Sequence, residues 1–169
     1  DVLLLQEIRC QPDQLPAEWS APVGWHVHWR PAQRLGYAGT AIWSRFPLEI
    51  LGEGLDDGDG DPDGRVIVAR VRGVTVASVY LPSGSSGPER QAYKDVWLGR
   101  FLPWAARMAA RRAPVVLGGD LNIAHTERDI FYATGNQNNS GFLPHERAWF
   151  GRLLDTGWTD FVRRHFGDV

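Results

Sequence analysis

The stretch Ala113-Pro-Val-Val-Leu-Gly-Gly-Asp-Leu-Asn-Ile-Ala-His125 decides the fold. Val115 to Leu117 is a short, partly β-branched apolar run, the pattern of a buried strand. Gly118 and Gly119 then let the backbone pass close to a neighbour. Asp120 and Asn122 follow, and in extended chain that spacing puts both side chains on one face, with Leu121 on the other. A carboxylate beside an amide at a strand end suits a hard divalent cation and a phosphate oxygen. The same residue types also cap turns, and the stretch alone leaves both readings open.

Outward from this centre the chain alternates strands with helices. Residues 1 to 6 read as a fully buried strand with Glu7 at its end. Trp25 to Trp29 alternates, tryptophans and Val27 on one face, His26 and His28 on the other; with no third nitrogen or sulfur ligand nearby, the histidines read as a solvent face. Tyr37 lies in a glycine-punctuated turn, as an exposed aromatic contact or a residue packing on its neighbours. The acidic run Asp56 to Gly64 fails the EF-hand pattern, with Pro62 and Val68 where glycine and glutamate belong, and reads as a solvated loop. Val66 to Val71 and Val74 to Tyr80 form a strand pair turning at Arg72-Gly73.

Tyr80 to Pro88 is a loop at a strand's C-terminal end, where sites in α/β proteins gather. Pro88 suits the first turn of a helix whose core face is Tyr93, Trp97, Phe101, Ala105 and Met108, with Pro103 expected to kink or restart it. Thr126 to Ser140 is a long polar loop. Pro144 starts a further helix with Ala148, Trp149, Leu153 and Leu154 buried and Gly157 beyond its end.

Composition sets outer bounds. A chain of 169 residues, 43% hydrophobic and 22% charged, is expected to form one domain over residues 1–169 with a real core. No apolar run approaches the roughly 20 residues of a membrane span, so no membrane partner is expected. The single cysteine, Cys10, excludes an internal disulfide and fits a reducing, cytoplasmic setting. A net charge of −2 gives no global attraction to nucleic acid, which leaves only local patches for such binding. Lys94 is the only lysine in an arginine-rich chain. With Glu7, Tyr80, Asp120 and Asn122 all at strand ends and no serine elbow, CxxC or dinucleotide fingerprint, the residues point to a metal-assisted site acting on phosphate esters.

Six stretches in order carry a family resemblance: Leu4 to Arg9, Gly36 to Thr40, Asp63 to Arg65, Val79 to Gly84, Gly119 to His125 and Gly135 to Pro144. They resemble successive motifs of the exonuclease III family of apurinic/apyrimidinic endonucleases, within the endonuclease/exonuclease/phosphatase superfamily. The resemblance implies a two-sheet α/β sandwich and Mg²⁺-dependent (or Mn²⁺-dependent) cleavage of double-stranded DNA at abasic sites or 3′ ends, by a monomer. It assigns Glu7 to the metal, and Asp120 to the attacking water or the leaving oxygen. Asn122 falls to the scissile phosphate and Tyr80 to that phosphate or the leaving group. Tyr37, Arg65, Ser83, Asn136 and Asn139 match positions on the DNA-binding surface. Ser83 stands where other members have Asn or Gln, His145 where Glu is frequent, and residues 131 to 134 break a usual polar and basic run.

The same resemblance implies a chain incomplete at both ends. An asparagine-bearing strand is expected before Asp1, and a Ser-Asp-His triplet with the catalytic histidine beyond Val169; His125 and His145 sit in motifs with other roles. Two alternatives accompany the nuclease reading: another phosphodiesterase of the superfamily, and a catalytically incomplete DNA-binding fragment.

Overall fold

A computed structural model describes residues 1–167. The chain forms two compact units, one of Asp1–Leu81 with Arg111–Leu121 and one of Pro82–Ala110 with the chain from Asn122 onward.

The first unit carries all the strands of the described residues, arranged in two sheets. Strands β1 (Val2–Gln6), β2 (His26–Arg30) and β3 (Thr40–Ser44) form an antiparallel sheet in the order β1-β3-β2. The second sheet has the order β4-β5-β6-β7, with β4 Glu49–Glu53, β5 Val66–Val71, β6 Val74–Tyr80 and β7 Val115–Asp120. A short helix, α1 (Ala17–Ser20), precedes β2. The β5–β6 hairpin forms where the two apolar runs were read, because only Arg72 and Gly73, both at positive φ, interrupt them. The sheets pack face to face through Ile42 of β3 and Ile67, Ala69, Val71 and Val76 of β5 and β6, with Val2 and Leu4 against them. Gln6 Nε2 donates to Ser78 Oγ at 3.1 Å, and Ser78 Oγ to the Leu5 carbonyl at 3.3 Å, tying β1 to β6.

Strand β7 joins parallel to β6, with Tyr80 opposite Asp120. Its glycines make that approach possible. A Cβ on Gly118 would come within 2.8 Å of Leu4 Cδ1, and one on Gly119, at φ +145, would overlap the Val79 carbonyl. Neither β1 nor β7 is fully buried, contrary to expectation. Each is an edge strand, so the two-residue pleat sends Leu4 into the core and turns Leu3 and Val116 outward to solvent.

The acidic loop is also not wholly solvated. Asp61 is buried and its Oδ2 accepts the backbone N–H groups of Arg65 (2.7 Å) and Val66 (3.0 Å). His28 likewise has a partner, Glu53 Oε1 at 2.7 Å. The two tryptophans read on one face both pack against Trp43 of β3.

The second unit is helical. Helix α2 (Pro88–Ala109) starts at Pro88 and runs through Pro103 without restarting. Phe101 stacks on Trp97 and meets Trp104 and Trp149, while indole N–H groups of Trp149 and Trp158 donate to the Leu98 and Ala105 carbonyls on either side of the proline. Packing therefore outweighs the local cost of Pro103. The buried face includes Lys94, Leu98 and Trp104, while Tyr93 is only half-buried.

The polar loop contains α3 (Ala133–Asn136) and a 3₁₀ turn over Glu127–Asp129. Helix α4 (Pro144–Asp155) buries Glu146, Trp149 and Leu153, a stripe at three- and four-residue spacing. Ala148, expected inside, lies off that stripe and is exposed, and Leu154 is half-buried. Helix α5 (Phe161–Phe166) follows.

Candidate active site

In the first unit, the ends of β1, β6 and β7 bring together Glu7, Tyr80 and Asp120. Glu7 is the first residue after β1 and takes a left-handed conformation, φ 55, which glutamate adopts rarely. Such outliers persist only where the surroundings over-determine them. Its carboxylate is paired with Arg9, and it also receives the Tyr80 hydroxyl. The Arg9 bond, with smaller help from Tyr80 and Arg65, holds the Glu7 carboxyl below its ordinary range against a modest upward push from burial. Glu7 therefore stays ionised, with 41% of its side chain exposed.

Tyr80 is buried, and burial first, then the bond and charge of Glu7, push its phenol up to about 12. At neutral pH it is a neutral donor. Asp120 sits opposite it in the parallel ladder, solvent-exposed, and its carbonyl accepts the Leu81 N–H at 2.9 Å.

Arg65 is placed beneath this cluster. Only 1% exposed, it donates Nε to Asp63 Oδ2 (3.0 Å), Nη1 to the Tyr80 carbonyl (3.1 Å) and Nη2 to the Tyr37 hydroxyl (3.2 Å). Its guanidinium also lies 5.0 Å from the Tyr80 ring centre. The position expected on the binding surface is thus a buried brace that fixes two tyrosines. Tyr37, the other residue read as either surface contact or packing, packs with Ala32, Ala38 and Tyr80 and has Arg34 over its ring.

Asn122, Ser83, Asn136 and Asn139 belong to the second unit. Extended geometry does not reach Asn122: β7 ends at Asp120, and Asn122 turns left-handed at φ 51. The alternation argument for a shared Asp120–Asn122 face therefore fails, although asparagine takes this conformation more readily than most residues. Its carbonyl accepts Lys94 Nζ at 2.8 Å. Ser83 Oγ bonds Ser85 Oγ within its own turn at 2.9 Å. Asn136 donates to the Phe131 and Tyr132 carbonyls (3.0 and 3.2 Å) and accepts from Asn139 Nδ2 (2.9 Å), so these amides organise the loop.

Two exposed oxygen donors, Glu7 and Asp120, suit a hard cation that keeps several waters and binds through one or two carboxylates. A three-residue group of ligand type, Asp95, His145 and Glu146, also occurs among the described residues. It does not fit an ion. Lys94 Nζ is 2.6 Å from Glu146 Oε1, Glu146 Oε2 accepts the N–H groups of Gly141 and Leu143 (2.7 and 3.1 Å), and Asp95 Oδ1 binds His145 and Gln91. Glu146 already has an ammonium as its cation.

Sequence reasoning missed Lys94, Glu146 and Arg9. The lone lysine, three residues before Trp97 on an apolar helix face, was the available signal, since a charge there has to find a buried partner.

The family model described as Endonuclease/Exonuclease/phosphatase family matches residues 1–168. The chain is 36% identical to an exodeoxyribonuclease of Bacillus subtilis over all of this chain and 66% of that one. It is also 36% identical to DNA repair nuclease APEX1 of Danio rerio, over 99% of this chain and 54% of that one. The 3′-5′ exonuclease NExo of Neisseria meningitidis superposes with a TM-score of 0.88 at 34% identity, covering 97% of this chain and 64% of that one. The chain thus spans between about half and two thirds of these relatives. With two packed sheets, helices, and a model match along nearly its whole length, the chain belongs to the Endonuclease/Exonuclease/phosphatase family.

Proposed function

We propose that this chain hydrolyses phosphodiesters of double-stranded DNA with Mg²⁺, or Mn²⁺ in its place, at abasic sites or 3′ ends. The observation that carries the reading is the strand-end cluster: a neutral Tyr80 hydroxyl on an ionised, exposed Glu7, with exposed Asp120 opposite Tyr80 in the ladder. The likeness to an exodeoxyribonuclease and a DNA repair nuclease supports DNA as the substrate.

Glu7 would hold the cation, whose chemistry there would be neutralisation of charge developing on the phosphate. Arg9, with 63% of its side chain exposed, is the partner that Glu7 would exchange for an ion. Asp120 orients or deprotonates the attacking water, or protonates the leaving oxygen. Tyr80 donates a hydrogen bond to the phosphate or the leaving group, fixed by Arg65 from below. Asn122 grips the phosphate. Tyr37, Ser83, Asn136 and Asn139 shape the surface that meets DNA. No helix among the described residues is long and apolar enough to cross a membrane. On the proposed function the chain acts as a monomer in the cytoplasm.

The test is incision of a duplex carrying one tetrahydrofuran abasic analogue, with Mg²⁺ or with EDTA, by the chain and by Glu7→Gln. Incision should require the metal, and Glu7→Gln should need more Mg²⁺ for half-maximal rate. Incision in EDTA, or none at any Mg²⁺ or Mn²⁺ concentration, sinks the proposal.

A further inference from the structure

We infer that the buried Lys94–Glu146 pair is a positioning device for Asn122. The inference rests on the phosphate-binding role proposed for Asn122 and adds the residues that set its geometry. Both side chains are 0% exposed and 2.6 Å apart. An ion pair that deep is a poor source of stability, because desolvating two charges offsets most of their attraction. Its connections show a different use.

Lys94 Nζ donates to the Asn122 carbonyl at 2.8 Å, in the left-handed turn that follows β7. Glu146 takes Lys94 and Gln91 on one oxygen, and the Gly141 and Leu143 N–H groups on the other. Gly141, at φ +93, packs on the Asn122 carbonyl, where a Cβ would lie 3.2 Å away, and its own carbonyl accepts the Ala124 N–H at 2.8 Å. One carboxylate thus ties helix α2, the Asn122 turn and the Asn139–Gly141 turn to a single point. The ammonium aims at the backbone of Asn122 and so acts on the turn that carries the side chain. Lys94 and Glu146 touch no substrate on this reading; they fix the residue that does.

The test is a double-mutant cycle in the 169-residue chain between Asn122→Ala and the neutral pair K94M/E146Q. Neutral residues of similar volume in place of a buried ion pair are commonly neutral or stabilising, so the melting temperature should hold. A second neutral pair, K94Q/E146Q, serves if the first does not fold. Affinity for the abasic-analogue duplex is measured by fluorescence anisotropy in EDTA at one salt concentration.

Asn122→Ala should weaken binding roughly tenfold, the scale of a lost bond to a charged group. The neutral pair should weaken it similarly with Asn122 present, and add less than about twofold once Asn122 is alanine. An undiminished effect in the Asn122→Ala background makes the pair merely structural and overturns the inference. Binding unaffected by Asn122→Ala overturns the phosphate role instead, and the backbone coupling constant and carbon shifts of Asn122 by NMR then decide. Loss of the left-handed signature in a folded neutral pair supports positioning; its retention refutes it.

Discussion

Glu7 follows a strand with 41% of its side chain exposed and an arginine and a tyrosine hydroxyl against its carboxylate, whereas Glu146 opens a helix at 0% exposure with four groups donating to its two oxygens. The difference separates two uses of one side chain. Glu146 has its acceptor capacity filled by its own chain, so it can organise and cannot bind anything else. Glu7 has capacity to spare and a partner that can leave, at the cost of a left-handed backbone. Exposure and incomplete coordination, more than the count of acidic groups, separate the carboxylate proposed to hold a cation from the one that organises its own chain.

The largest expected effect falls on the filled carboxylate. Glu146→Ala strands Lys94 without its partner and should lose about 3–5 kcal/mol in urea unfolding. A loss below that of an ordinary surface substitution would erase the contrast with Glu7. Next, Asp120→Asn should slow single-turnover incision at least ~10²-fold while leaving abasic-DNA affinity equal or higher, since it removes a charge beside a phosphate and keeps the shape. Asn122→Ala should lower both. Equal losses of binding and incision in Asp120→Asn would make that carboxylate structural.

Glu7→Gly sharpens the comparison from the other side. Glycine accepts φ 55 without penalty, so the variant should keep its stability or gain up to about 1 kcal/mol, although incision is lost. Clear destabilisation would show that Glu7 is a structural residue like Glu146.

The smallest effect concerns Asp61, an intermediate case with one oxygen serving two backbone N–H groups. Burial raises its carboxyl above the ordinary value of 3.8 despite those bonds. A raised folded value means the folded chain binds the proton more tightly. The contribution is full below the unfolded value and is lost as pH rises through the folded one. Asp61→Asn, which keeps an acceptor, should therefore gain on the parent as urea titrations move from pH 3 toward neutrality. A gap that narrows with rising pH would contradict the raised value.

Much of this could be read from residues alone, for identifiable reasons. The β5–β6 hairpin, the start of α2 at Pro88 and the end of α4 before Gly157 depend on local signals, and those signals were strong. Glu7, Tyr80 and Asp120 were legible because polar groups closing apolar runs can only emerge at strand ends. Asn122 was misjudged in geometry because period-two reasoning assumes extended chain, and the turn at φ 51 leaves no trace in composition. Arg65 could not be placed either. Its burial depends on Asp63, Tyr37 and the Tyr80 carbonyl, and no local pattern announces three partners from separate segments.

The pairing of β7 has a consequence for the order in which this protein is made. Within the first unit, β1 to β6 are all synthesised before β7, and their antiparallel pairings can form without it. Among the described residues strand β7 pairs only with β6, in parallel, matching Gly119 to Val79 across the whole of α2. Parallel pairing over so long a loop is intrinsically slow, because closure must precede any gain from contact. A nascent chain emerging at about 5–20 residues per second thus has Glu7 and Tyr80 in place before Asp120 arrives. Asp120 joins Glu7 and Tyr80 in one late step, and a chain stalled before residue 115 would carry two members of the strand-end cluster without the third.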